Sequence, residues 1–347
     1  MPTDHSPVRS RVRLQLENQH PLSLPHLEED GDRLLFLGEP TDFGMPGRDM
    51  LNLWNRCDGT RPLESFPPAE QQTLQRWHEA GLVLAAPPPD PTARADLTVV
   101  SPHPDDAQLA LGGLLAARGG HVVGVFTEET WTRRPYYRSR PKLTSDLLRA
   151  EELAACRVLG VSVAMLGFPE APHRPAWRDG FLTSEDDIGR IVHTETELFG
   201  ALLDALGPQL VGAGVIAAPL GVGGHVDHLL VREAVIALIG LKVISPDRVL
   251  LYEDMPYSVF GGSASCREGL APRAEIGPLH EVPAITTPAH AMAKGEALRA
   301  YRLQVTPGTI TRVLRQGSGG ETGAFTETLW APRRWEYSGP DLGVTER

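Results

Sequence analysis

The chain has 347 residues, a hydrophobic content of 41%, a charged content of 22% and a formal net charge of -11, the balance of a globular protein large enough for more than one folding unit. Residues 1–90 hold 8 Arg, no Lys and 14 Asp or Glu, so about -6 of the charge falls there and about -5 in the rest. Neither part has a basic stripe, which argues against nucleic acid and anionic membrane surfaces as partners.

The opening "MPTDHSPVRSRVRLQLENQ" has no apolar segment of the secretory kind, and no run of about 18 apolar residues occurs, so no membrane span is expected. Cys57, Cys156 and Cys266 are widely spaced and odd in number. They imply neither a disulfide framework nor a paired-cysteine zinc site, and a cytoplasmic location is expected. Arg outnumbers Lys 30 to 3, which reads as the codon bias of a GC-rich, bacterial genome.

In chain order, "RLLFLGEP" (33–40) predicts a short strand. The stretch 47–66 predicts a helix with Met50, Leu51, Leu53, Trp54 and Cys57 on one apolar face, stopped near Asp58-Gly59. A second helix opens at Pro68 and closes at Gly81, and a strand follows. Helix, turn, helix, strand is a winged-helix-like outline. "LWNRCDGTRPLESF…LQRWHEAGLVL" also resembles the PqqD-like family of peptide-binding modules, which implies a peptide or protein partner for this α+β unit. The proline-rich stretch 84–97 marks a boundary. The expected division is an N-terminal unit over 1–86, a linker over 87–95 and a larger unit over 96–347.

The larger unit alternates predicted strands (96–102, 121–129, 163–168, 214–221, 247–254) with predicted helices (107–119, 145–161, 194–208, 227–240). Leu148, Leu153, Ala155, Cys156 and Leu159 are expected on the inner face of the second of these helices. Such alternation predicts an α/β, Rossmann-like three-layer sandwich with a mainly parallel sheet, whose ligands sit beyond the carboxyl ends of the strands. "PHPDD" follows the first strand and "GHVDH" the fourth. Two adjacent carboxylates and an imidazole at a strand end repel or desolvate one another unless a cation lies among them. His103 and Asp106 stand three apart, as do His225 and His228. Catalytic zinc takes three ligands of this kind. The pattern alone leaves open which Asp and which later His bind. One carboxylate and one imidazole remain for general base and hydrogen-bond donor, and Asp227 can orient a histidine.

These two motifs together resemble the PIG-L/LmbE family of zinc-dependent N-acetylglucosaminyl deacetylases over about residues 96–305. The resemblance implies His103, Asp106 and His228 as ligands of Zn2+, or of another divalent ion such as Fe2+. It further implies Asp105 as general base, and His225 as a protonated oxyanion partner with Asp227 behind it. "RAEELAACRVLGV" resembles the family's Arg-x-x-Glu helix and implies that Arg149 reaches a sugar substituent. "LGFPEAPHR", "YEDMPY" and "KGEALRAYRLQV" resemble further family segments. Ala107 stands where the family usually has Glu, and no aromatic residue precedes "GHVDH". The expected activity is hydrolysis of the acetamide of a small-molecule N-acetylated sugar conjugate. The alternatives are an amidase acting on a thiol conjugate or antibiotic sugar, and a scaffold working through its N-terminal unit with a vestigial metal site. Glu170, His173 and Arg174 read as either a substrate-side loop or a solvated one, and Glu253 and Asp254 as either the site entrance or a loop cap.

Overall fold

The computed structural model describes residues 19–30, 33–89, 96–260, 274–318 and 323–332. Cys266, the middle of the proline-rich linker and both ends of the chain lie outside them.

The N-terminal unit holds β1 (His20–Ser23), β2 (Leu27–Asp30), β3 (Arg33–Phe36), β4 (Glu39–Pro40), α1 (Gly47–Asn55), α2 (Pro68–Ala80) and β5 (Val83–Ala86). The predicted single strand over 33–40 is two strands, because Leu37 and Gly38 both take positive φ and turn the chain. β1 pairs with β5, and β2, β3 and β4 form a second small antiparallel sheet. The order α1, α2, β5 follows the expected outline, and α2 closes at Gly81 with φ 77°. Phe36, Phe43, Trp54 and Trp77 pack edge to face or tilted at 5.7–6.0 Å.

The larger unit is a seven-stranded sheet. In chain order its elements are β6 (Leu97–Ser101), α3 (Asp106–Arg118), β7 (His121–Gly124), α4 (Pro135–Arg138), α5 (Pro141–Leu159), β8 (Ser162–Met165), α6 (Ile188–Thr194), α7 (Thr196–Leu210), β9 (Val215–Pro219), α8 (Val226–Gly240), β10 (Val249–Tyr252), β11 (Leu279–Thr286), α9 (Pro288–Leu298), α10 (Pro307–Gly317) and β12 (Phe325–Pro332). The sheet order is β11-β12-β10-β9-β6-β7-β8. Strands β10 through β8 are parallel, and β12 and β11 extend the sheet antiparallel. Alternation along each strand sends Val99, Val122, Ala217 and Leu250 to one core and Val100, Val123, Ile216 and Leu251 to the other. Helix α5 starts four residues earlier than predicted, at Pro141. Leu153 is not on its inner face but 55% exposed. At 100° per residue it lies well off the line of Leu148, Glu152, Ala155 and Leu159, and two buried glutamates, Glu151 and Glu152, stand on the inner face instead.

The N-terminal unit shares its core with the sheet face covered by α3, α5 and α9. His26 Nε2 meets Glu151 Oε1 at 2.6 Å with both side chains buried, and His78 Nε2 meets Glu296 Oε1 at 2.9 Å. Arg299 donates to the His78 carbonyl at 2.7 Å and so caps the end of α2. A cavity of about 910 Å³ lies at this junction, between α2, α9 and α10. Among the described residues no helix is long and apolar enough to cross a membrane. Cys57 and Cys156 are buried free thiols.

Candidate metal centre

β6 is the first strand of the sheet. The chain moves from it to β7 and β8 on one side and later returns to β9 on the other. The carboxyl ends of β6 and β9 therefore flank the point where strand order reverses, and β10 lies next to β9. The two sequence motifs meet there.

After β6, the Ser101 hydroxyl donates to the His103 carbonyl at 2.7 Å and accepts from the Ala107 N–H at 3.1 Å, which pins the turn. Asp105 has φ 98° and ψ -28°, a left-handed conformation that costs a non-glycine residue about 1–3 kcal/mol. Glu152 Oε2 accepts the Asp105 N–H at 3.1 Å and holds it there. Glu152 in turn receives hydrogen bonds from Tyr301 Oη at 2.5 Å and Gln108 Nε2 at 3.0 Å.

After β9, Gly221, Gly223 and Gly224 all take positive φ. A Cβ on Gly224 would sit 2.0 Å from the Thr183 carbonyl oxygen, so only glycine fits that approach. His225 caps α8, with Nδ1 accepting the Asp227 N–H at 3.2 Å. A neutral His225 ring therefore carries its proton on Nε2.

Asp106 Oδ2 lies 3.4 Å from His103 Nδ1 and 3.3 Å from His228 Nε2. Each ring is braced from behind: His103 Nε2 by Asp227 Oδ2 at 2.9 Å, and His228 Nδ1 by Asp254 Oδ1 at 2.5 Å. Asp254 Oδ2 also accepts the N–H groups of Gly221 and Val222 at 2.7 and 2.8 Å, tying the glycine loop to the end of β10. The ligand atoms of His103, Asp106 and His228 all lie within 4.8 Å of one another, and so do those of His103, His225 and Asp227. In the second set Asp227 is already engaged, with Oδ2 on His103 Nε2 and the Ala171 N–H and Oδ1 on Arg174 at 2.7 Å. The first set is the one whose facing atoms can receive a cation.

Its charges need one. Asp105, Asp106, Glu129, Asp227 and Asp254 crowd the rim, and Arg174 is a permanent cation in direct contact with Asp227. Burial opposes charge on His103, yet the hydrogen bonds its ring donates to Asp106 and Asp227 raise its pKa well above 6.5. Burial likewise opposes His228, and Asp106 and Asp254 outweigh it. Burial and the charge of Asp106 push Asp105 well above the usual carboxylate range. Burial and the neighbouring His103 hold His225 well below 6.5, which favours its neutral form.

Asp227 was expected behind His225. The two side chains are 4.0 Å apart, and the 2.9 Å bond of Asp227 goes to His103. Arg149 bonds Asp146, Ser145 and the Thr127 carbonyl, and lines a depression of about 490 Å³ with Glu128, Thr130 and His173. Sequence reasoning underrated two groups. Arg174 is 6% exposed rather than solvated, because it pairs with Asp227 and with Glu195 at 2.9 Å. Asp254 is a brace; its position directly after a strand adjacent to β9 was the available signal.

Residues 98–239 match the family described as PIG-L: GlcNAc-PI de-N-acetylase. The chain is 36% identical over 187 residues to a 2'-N-acetylparomamine deacetylase of Streptomyces fradiae, a match covering 50% of this chain and 63% of that protein. A solved A40926 pseudoaglycone deacetylase superposes with a TM-score of 0.49 at 20% identity, over 69% of this chain and 98% of that one. A teicoplanin deacetylase complex gives 0.49 and 20%, over 68% and 97%. Residues 98–239 are a PIG-L (LmbE-like) deacetylase family domain.

Proposed function

We propose that the chain removes the N-acetyl group from an N-acetylglucosamine-type sugar conjugate, using a divalent cation held by His103, Asp106 and His228. The observation that carries this is the meeting of three ligand atoms with both rings braced by carboxylates and Asp105 left free beside them. Two imidazoles and one carboxylate suit zinc, and Fe2+ is the second choice. The likeness to a 2'-N-acetylparomamine deacetylase supports an amino-sugar substrate. We read residues 19–86 as a unit fixed to the catalytic unit through His26, His78 and their glutamate partners.

A bound divalent ion would supply Lewis-acid polarisation of the amide carbonyl. The remaining work falls to the side chains. Asp105, which lies beside the ligand set without belonging to it, takes a proton from the attacking water. His225 donates its Nε2–H to the oxygen that gains charge, and a neutral ring can do so. Asp105 then returns the proton to the departing nitrogen, leaving acetate and a free amine. Asp227 and Arg174 keep His103 oriented throughout.

Free-amine release over a panel of N-acetylglucosaminyl conjugates tests the reading. Chelated protein is expected to be inactive and zinc- or iron-reloaded protein active. Activity unchanged by complete removal of metal would refute it. His225→Ala is expected to lower kcat about 10²–10³-fold while the metal content stays near that of the parent. Wild-type turnover in that variant would remove His225 from the mechanism.

A further inference from the structure

Glu129, in the loop leaving β7, is 6% exposed. Its Oε1 accepts a hydrogen bond from Gln304 Nε2. Its Oε2 is buried and has no hydrogen-bond partner among the described residues. A buried carboxylate oxygen without a donor is costly, so a donor from outside the protein is the natural completion. Glu129 is close enough to His103, Asp105 and Asp106 for their charges to interact, which places it beside the metal centre. Among the described residues Arg174 is held by Asp227 and Glu195 and Arg149 by Asp146, and the His103 charge, which acts on Glu129, is shared with Asp106 and Asp227.

The amide of Gln304 that holds Glu129 also donates to the Trp131 carbonyl at 3.2 Å. The Trp131 side chain is 54% exposed. One glutamine thus holds both the buried Glu129 carboxyl group, whose pKa burial pushes well above the usual range so that a neighbouring cation would be needed to keep it charged, and the main chain of a residue with an exposed indole. A sugar ring stacks on an indole, and an ammonium group on that ring satisfies both the free oxygen and its charge. A hydroxyl would satisfy the hydrogen bond alone, amid Asp105, Asp106 and Glu170.

The geometry points to Glu129 as the group that receives a free ammonium of the substrate, so that the substrate class is an amino sugar carrying a cationic amine beside the acetamide to be cleaved. This rests on the deacetylase reading. Mono-N-acetylchitobiose, with one acetamide and one free amine, and N,N'-diacetylchitobiose, with the amine capped, are the probes. Glu129→Gln keeps shape and removes charge. It is expected to raise KM for the amine-bearing sugar about tenfold or more, with kcat within about twofold, metal content unchanged and little effect on the diacetyl sugar. Trp131→Ala, at an exposed position, is expected to raise KM for both sugars. Equal KM increases on both sugars in Glu129→Gln would make the partner a hydroxyl, and no increase on either would show that Oε2 does not meet substrate; each overturns the assignment. If the parent protein deacetylates neither these sugars nor any other N-acetylglucosaminyl conjugate of the panel, the deacetylase reading has failed. The cation site is then read by titration calorimetry with fully deacetylated chitobiose: binding about tenfold weaker in Glu129→Gln upholds it, and equal binding overturns it.

Discussion

His228→Ala is expected to purify without its divalent ion and without free-amine release. Metal content should fall from near one ion per chain to below about a tenth, because two of three ligands cannot hold what three hold. The fold is expected to survive. Asp254 loses its partner on Oδ1 but keeps the Gly221 and Val222 N–H groups on Oδ2, so the glycine loop stays tied. Thermal unfolding of the metal-free parent is the matching control. Asp254→Asn gives a graded contrast: the ligand remains but its brace weakens, and metal affinity should drop about 10–100-fold. Elemental analysis and competition with a chelating dye read both. Full metal occupancy in His228→Ala would place the ion instead in the set formed by His103, His225 and Asp227.

The site was legible where chemistry and topology coincide. His103, Asp106, His225 and His228 stand just beyond apolar strands, and a parallel sheet brings such strand ends together. What brings two particular strand ends together is pairing, and β9 beside β6 is not written in either strand alone. The braces were harder to read, since Asp254 reaches His228 across 26 positions and Glu152 reaches Asp105 across 47. The antiparallel extension escaped notice for a specific reason. β12 alternates buried and half-buried residues, but a glutamate occupies an inner position. Glu327 is tolerated there because Lys294 Nζ donates at 2.7 Å and the N–H groups of Gly113 and Leu114 at 2.9 and 2.7 Å. No periodicity rule anticipates a buried charge whose partners lie on two other elements. Arg174 was misplaced for the same reason.

Asp105→Asn should separate catalysis from metal binding more cleanly than any other change. Asparagine matches aspartate in size and tolerates left-handed backbone, so the strained turn at φ 98° and its bond to Glu152 should persist. An alanine there would confound the result by disfavouring that conformation. Asp105 faces His103 and Asp106 without supplying one of the three converging ligand atoms, so metal content should equal that of the parent. The lost proton acceptor should lower kcat about 10²–10⁴-fold while KM changes little, since the group acts on the water and not on the bound sugar. Steady-state kinetics on protein of measured metal content decides it. A variant with more than about a tenth of parental kcat would exclude Asp105 as the base. Glu129, a buried carboxyl group beside the centre whose Oε2 has no hydrogen-bond partner among the described residues, would then be the group to test next, and Glu129→Gln would have to lower kcat rather than raise KM.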